Sequence, residues 1–293
     1  MPRDVLVVGG SGLVGRALLR RLAATGCRPR AITRAAAPAT DVAALARWHC
    51  GTGLDGPGAL PAGDRIAVLL GAGPLDVLAQ WLERTPLPGL QRVVALSSTS
   101  AATKADSPDG AERELARRLA RSEQRLAAAC DARGVAWTVL RPTLIWGEGR
   151  DRNVSALAGL ARRTGGLLPL PRFARGRRQP IRADDVAAAM LAAAETPAAA
   201  GLRLDLPGGE TLPYDVMAAR IAAAVSPRGR VLRLPVPVWA VRLAGWLGTL
   251  GDGHLNAVLR TRQDLVFDGE PAWRLLGHVP RGFDPVAADF PPA

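Results

Sequence analysis

The chain has 293 residues, 48% of them apolar, which is enough to bury a sizeable core and excludes both a disordered tail and a disulfide-stapled miniature. Charged residues make up 22%, and no apolar run reaches the about 18 residues that a membrane-spanning helix needs, so a soluble protein is expected. The net charge of +12 would ordinarily point to nucleic acid or anionic lipid, but 37 of the 38 basic residues are arginine and alanine is just as over-used. That is the stamp of a GC-rich coding sequence, and aromatic residues at 4% offer few platforms for stacking bases. No nucleic-acid partner is therefore expected.

Residues 1–8 run straight into an apolar stretch that ends in glycines, without the long apolar middle and cleavage site of a secretory signal, so the expected location is the cytoplasm. Residues 5–8 read as a buried strand. The helix expected over 13–25 has Leu13, Val14, Ala17, Leu18 and Leu22 at helical spacing and Gly26 as its stop. Further strands are expected at 30–33, 46–50, 66–70, 93–96 and 137–140, with helices at 75–84 and 111–133. Six strands alternating with helices predict an α/β, doubly wound parallel sheet over 1–150. Beyond about residue 145 the pattern changes. A Pro-, Gly- and Arg-rich stretch (164–182) precedes separate helices expected at 184–195, 213–225 and 237–250, which predicts a smaller mixed cap over 151–293, partly interleaved with the first domain. Cys27, Cys50 and Cys130 lack metal or redox spacing, and an odd number cannot all pair, so buried free thiols are expected. His49, His254 and His278 are far apart in sequence, and no metal site is expected.

The strongest chemical signal is Val8-Gly9-Gly10-Ser11-Gly12-Leu13-Val14-Gly15, a G-x-x-G-x-x-G spacing held between a strand and a helix. Such a turn needs residues without a Cβ, and the following helix N-terminus offers oriented N–H groups to a pyrophosphate. Residues 9–15 are therefore expected to hold a dinucleotide. About 20 residues further on, an acidic side chain would bind the ribose 2′-hydroxyl of NAD. Here the second strand ends in Ile32-Thr33-Arg34. A guanidinium pairs with a 2′-phosphate, so NADP(H) is favoured over NAD(H), against the alternative of a solvated surface arginine.

The opening VVGGSGLVG, VVALSSTS (93–100), VLRPTLIWGEGRD (139–151), PIRADDVAAAM (180–190) and LLGHVPRGFDP (275–285) together resemble the extended short-chain dehydrogenase/reductase superfamily, in its NAD-dependent epimerase/dehydratase-like branch. The resemblance covers nearly the whole chain and implies a Rossmann fold. It implies that Gly71, Ala72 and Gly73 approach the cofactor ribose, that Arg141, Pro142, Thr143, Leu144 and Ile145 line the nicotinamide pocket, and that Ser97 belongs to the same cofactor surface. Ser98 and Thr99 stand at the family's catalytic hydroxyl position, where strand-end capping is the alternative role. The family also uses a Tyr-x-x-x-Lys pair to exchange a proton with substrate. Tyr214 is the only tyrosine and Lys104 the only lysine, and neither falls in the relevant helix. Aligning Glu123 with the family's glutamate puts Leu115 and Leu119 in the two places.

The resemblance thus implies an atypical, NADP(H)-dependent oxidoreductase acting on a small carbonyl or anionic substrate. The missing pair equally fits a non-catalytic dinucleotide-binding sensor or accessory scaffold subunit. Three further features are open. Eight arginines between 152 and 182, with no acid until Asp184, read either as an anionic-substrate surface or as a solvated loop; Asp185 reads as a helix-start residue. Residues 235–250, with Trp239 and Trp246 and Arg242 as the only charge, read either as cap core or as a peripheral membrane or protein contact.

Overall fold

The computed structural model describes residues 4–51, 53–54, 65–241 and 252–291. The chain forms two compact units: Met1–Thr143, Ala183–Leu206 and Asp268–Val279 make the first, and Leu144–Arg182, Pro207–Phe267 and Pro280–Ala293 the second. The division falls at 143/144 rather than at 150/151, and two later segments return to the first unit.

The first unit is a seven-stranded parallel sheet. In chain order its elements are β1 (Val5–Val8), α1 (Leu13–Ala24), β2 (Arg30–Ile32), α2 (Thr40–Ala43), β3 (Arg47–His49), β4 (Val68–Gly71), α3 (Leu75–Arg84), β5 (Arg92–Leu96), α4 (Ser100–Thr103), α5 (Gly110–Asp131) and β6 (Ala136–Pro142). The second unit contributes β7 (Ile145–Trp146), α6 (Val154–Arg163), β8 (Leu167–Pro171), β9 (Arg177–Arg178) and β10 (Ile181–Arg182) before the chain returns as α7 (Ala183–Glu195) and β11 (Leu202–Leu206). The strand order is β11-β6-β5-β4-β1-β2-β3. The order reverses between β1 and β4, so the loops after these two strands open at the switch point where such sheets bind ligands.

The apolar run of β1 reflects its burial: all four residues are buried, as a central parallel strand covered on both faces requires. On one face Leu78, Trp81 and Leu82 of α3 pack with Leu126 and Cys130 of α5 and with Trp137. The start of α5 is set by Asp109, whose carboxylate accepts the Ala111 N–H at 2.8 Å. Arg92, buried at the head of β5, donates to Thr138 and to the carbonyls of Ala193 and Thr196, and so ties the last turn of α7 to the sheet.

The seventh strand, β11, was not expected. Its residues Leu202-Arg203-Leu204-Asp205-Leu206 carry two charges in five positions, yet they pair in register with β6 from Leu202↔Thr138 to Leu206↔Pro142. Four of the five are at least partly exposed at this sheet edge, which explains the polar composition.

The second unit continues with β12 (Leu212–Pro213), α8 (Tyr214–Val225), β13 (Arg230–Leu234) and α9 (Asp252–Arg260); α10 (Glu270–Leu276) belongs to the first unit and stops at Gly277 in the left-handed conformation. Three two-stranded ladders form, β10 with β7, β12 with β9 and β13 with β8; Trp146 and Leu212 from the first two pack with Met217, Ile221, Phe283 and Phe290, while Leu168 and Leu170 of β8 pack with Ala161, Ala218 and Ala222. The Pro-, Gly- and Arg-rich stretch 164–182, where no strand was expected, supplies β8, β9 and β10. These strands are short and pair only across tertiary contacts, so no periodicity announces them. Of the helix expected at 237–250, residues 242–250, including Arg242 and Trp246, lie outside the described residues. Trp239 is 67% exposed. No helix among the described residues is long and apolar enough to cross a membrane.

Candidate dinucleotide site

Gly9 adopts φ +79°, and a Cβ there would stand 2.6 Å from the Gly73 nitrogen, so the two strand-end loops can approach only because this residue is glycine. The Ala72 N–H donates to the Val8 carbonyl at 2.8 Å and holds the loops in that proximity. The turn closes by a bond from the Gly12 N–H to the Gly9 carbonyl, 2.9 Å. A Cβ on Gly15 would overlap that same carbonyl oxygen and lie 2.7 Å from the Gly10 Cα, so α1 can begin directly under the loop only with glycine at 15. Val14 and Gly15 are buried, Leu13 is half-buried, and Ser11 and Gly12 are exposed. Gly12 caps α1 without a side-chain bond, and the first turn carries no acid. Backbone N–H groups at this helix start are thus open to an anion, and the positive end of the helix dipole is uncompensated.

Trp48 was not foreseen. Its ring lies 3.1 Å from where a Cβ on Gly10 would sit, and its indole N–H donates to the Val42 carbonyl at 3.3 Å. It forms an aromatic wall beside the glycine loop, placed by the β2–β3 register that sets Ala31 against Trp48. Arg34 follows β2, exposed and with no partner among the described residues. Gly71 is the last residue of β4, and a Cβ there would overlap Cδ2 of Leu78. Its glycine is therefore set by the packing of α3 on the sheet, and it is Ala72 and Gly73 that lie against Gly9.

The ends of β5 and β6 differ from expectation. Glu123, 1% exposed on α5, accepts from the Ser97 hydroxyl at 2.5 Å, from Nε and Nη2 along one edge of the Arg141 guanidinium, and from Arg203 Nε at 3.3 Å. Asp205 stands opposite Arg141 across β11 and β6, and burial pushes its carboxyl above the usual carboxylate range. The Ser97 and Arg141 side chains, expected at the cofactor, are thus spent on an internal ion-pair network. The sequence signal was present: an acid on the buried stripe of α5, with two arginines on neighbouring strands. Arg203 also stacks on Trp137 at 4.9 Å.

Ser98 and Thr99 follow directly. The Ser98 oxygen accepts the Ser100 N–H at 3.1 Å, a capping role that leaves its own hydroxyl proton available to donate. Thr99 is buried, its N–H and hydroxyl both directed to the Pro142 carbonyl at 3.3 and 3.4 Å. Thr143 bonds through its N–H to Leu206. Leu144 and Ile145 belong to the second unit, where Ile145 pairs with Ile181. Leu115 and Leu119 lie half-buried on α5. Lys104 pairs with Glu112 at 2.9 Å in the first unit. Tyr214 sits in the second unit beneath Arg178, whose guanidinium carbon lies 5.5 Å from the ring, and burial pushes the phenol further from acid–base use at neutral pH.

The arginines of 152–182 divide. Arg178 is buried and donates to the carbonyls of Arg177, Gln263 and Arg260; Arg177 pairs with Asp264 and Arg182 with Asp289, while Arg152, Arg163, Arg172 and Arg175 are exposed. Asp185 lies buried in the first turn of α7, 3.3 Å from His278 Nε2. The thiols correct the expectation of burial: Cys130 is buried, Cys27 is half-buried and Cys50 is exposed. No group of three metal-ligating side chains occurs among the described residues.

No protein-family model matches the chain, and neither does any curated protein sequence. Solved structures do share its fold. The UDP-glucose 4-epimerase of Thermotoga maritima superposes with a TM-score of 0.68 at 15% identity, covering 94% of this chain and 93% of that one. The UDP-glucuronic acid 4-epimerase of Bacillus cereus, solved in complex with NAD, gives 0.66 at 16% identity, covering 97% and 96%. The Bordetella bronchiseptica enzyme WbmF, solved with NAD+, gives 0.68 at 17% identity, covering 97% and 90%. The chain therefore has the Rossmann-like α/β fold of these epimerase-type structures, as the sequence resemblance implies.

Proposed function

We propose that the chain binds a nicotinamide dinucleotide, NADP(H) in preference to NAD(H), and that it is an atypical oxidoreductase acting on a small carbonyl or anionic substrate. The observation that carries the binding is the pair of glycine-dependent approaches, Gly9 against Gly73 and Gly15 under the Gly9 carbonyl, beside an exposed and uncapped helix start. Side chains fill neither position, and the N–H groups there fit a diphosphate. Arg34, exposed at the end of β2 and without a partner among the described residues, supplies the 2′-phosphate contact. Solved neighbours holding NAD add to the dinucleotide reading.

When bound, the cofactor supplies hydride chemistry. The chain's own part is to hold the diphosphate on the backbone of residues 9–15 and to offer the Ser98 hydroxyl as a donor to a substrate oxygen. With Leu115 and Leu119 in place of a tyrosine and a lysine, proton exchange falls to water or to the substrate. That same substitution favours a second reading, a non-catalytic dinucleotide sensor or scaffold. Calorimetry with both coenzymes, followed by NADPH absorbance against a carbonyl panel, tests these readings. Arg34→Glu should weaken NADP(H) at least about tenfold while changing NAD(H) little, since a charge-assisted bidentate pair is lost. Equal losses for both coenzymes refute the preference, and tight NADPH binding without turnover establishes the sensor reading.

A further inference from the structure

The ladder of β8 with β13 in the second unit has two unlike faces. Leu168 and Leu170 turn into the core against Ala161, Ala218 and Ala222. Their register partners Val231 and Arg233 point the same way, Arg233 reaching Asp215 of α8 at 2.9 Å. The alternate pairs, Leu167 with Arg230, Pro169 with Leu232 and Pro171 with Leu234, face away from that core. Of these, Pro169 and Leu232 are exposed, Leu232 at 45%. Apolar exposure continues where the chain leaves β13, at Pro235, Pro237 and Trp239. Trp239, 67% exposed, sits on a turn closed by the Ala240 and Val241 N–H groups onto the Pro237 carbonyl. A run of exposed apolar side chains of this kind marks a contact surface, and it goes against the cap-core reading for Trp239.

The charge around this face has one sign. The chain has 26 acids, yet 152–183 and 216–251, which supply β8 and β13, contain none. Acids from other segments of the second unit are already matched, Asp215 by Arg233, Asp264 by Arg177, Glu210 by Arg220 and Asp289 by Arg182. Arg172 and Arg175, just past β8, and Arg228 and Arg230, at the start of β13, are exposed with no side-chain partner among the described residues. Arg172 and Arg230 mark the two ends of the ladder, where their N–H groups donate to the carbonyls of Leu234 and Gly166, each at 2.9 Å. The Arg172 bond also fixes the parity of β8: Pro169 and Pro171 occupy the positions whose N–H would point away from β13. The outer edge of β8 therefore offers no donors there for strand addition by a peptide, whereas a lipid surface requires none. An exposed indole and aliphatic side chains flanked by uncompensated guanidinium groups match the boundary of an anionic bilayer.

We propose that this face of the second unit seats on an anionic lipid bilayer, with Leu232 and Trp239 entering the headgroup boundary and Arg172, Arg175, Arg228 and Arg230 meeting lipid phosphates. The proposal is independent of the dinucleotide reading. Co-sedimentation of the full chain with vesicles of phosphatidylcholine alone, and of equimolar phosphatidylcholine and phosphatidylglycerol, tests it. Binding is expected with the mixed vesicles, falling as salt is raised, and little with phosphatidylcholine alone. Trp239→Ser is expected to weaken binding about tenfold, and Arg228→Gln and Arg230→Gln about fivefold each. Val279→Ser, which removes an exposed apolar side chain from the first unit, is expected to leave it unchanged. The proposal is overturned if the mixed vesicles do not sediment the chain, if phosphatidylcholine alone does so equally, or if Trp239→Ser, folded by circular dichroism, binds like the parent. It is also overturned if Val279→Ser weakens binding as much, or if the chain is a dimer in solution that Trp239→Ser dissociates.

Discussion

Within the first unit, the loops after β1 and β4 and the ends of β5 and β6 stand at the same edge of the sheet, yet they are built in opposite ways. Around Gly9, Gly12 and Gly15 there is no Cβ, the Gly12 N–H closes the turn onto the Gly9 carbonyl, and the helix start has no side-chain cap. Around Ser97 and Arg141 the side chains bond one another through Glu123, at 1% exposure. The first arrangement keeps polar capacity for a ligand. The second uses its capacity to hold strands together. One edge of a sheet can therefore keep an open backbone loop at one place while the side chains at neighbouring strand ends become structural.

Glu123→Ala should separate the two regions most clearly. Removing it leaves Arg141 and Arg203 facing a buried gap, and loss of one partner from a buried pair costs about 3–5 kcal/mol. Urea unfolding should show that loss, while dinucleotide affinity at the distant glycine loop changes less than about threefold. A large affinity change with little loss of stability would place Glu123 in the binding machinery instead.

Gly15→Ala should give the converse result. The added methyl meets backbone, which cannot swing aside, so the loop must shift and dinucleotide affinity should fall about a hundredfold, close to 2.7 kcal/mol. Calorimetry with NADP+ reads this directly, and retention of parent affinity would disprove the glycine-loop geometry.

The smallest effect concerns the thiols. Burial pushes the Cys130 thiol on α5 up to about 12, so its thiolate form is scarce until the pH nears that value, and labelling in the folded protein should be negligible at pH 8. Cys50, exposed just after β3, should label first. Mass spectrometry of partly labelled protein checks the order; Cys130 reacting first would contradict the packing of α5.

Much of the glycine-loop end was legible from the sequence because its information is local. A strand, three glycines and a helix occupy consecutive positions, and each glycine answers a constraint within a few residues. The charged end was not, because Ser97, Glu123, Arg141 and Arg203 come from four separate segments. Gly71 was misassigned for the same reason: its small size answers Leu78 on the next helix, and spacing alone cannot distinguish packing from ligand contact. β11 escaped because an edge strand carries little of the apolar pattern that marks a central one.

Composition and periodicity determined the class of fold, the opening strand and helix, and the absence of a Tyr-x-x-x-Lys pair from α5. Tertiary structure decided which polar side chains remain for a ligand, since an arginine or a serine is available only if no distant carboxylate has already taken its hydrogen bonds. Local covalent order sets backbone geometry over a few residues; the pairing of charges depends on which segments the folded chain brings within about 3 Å of each other.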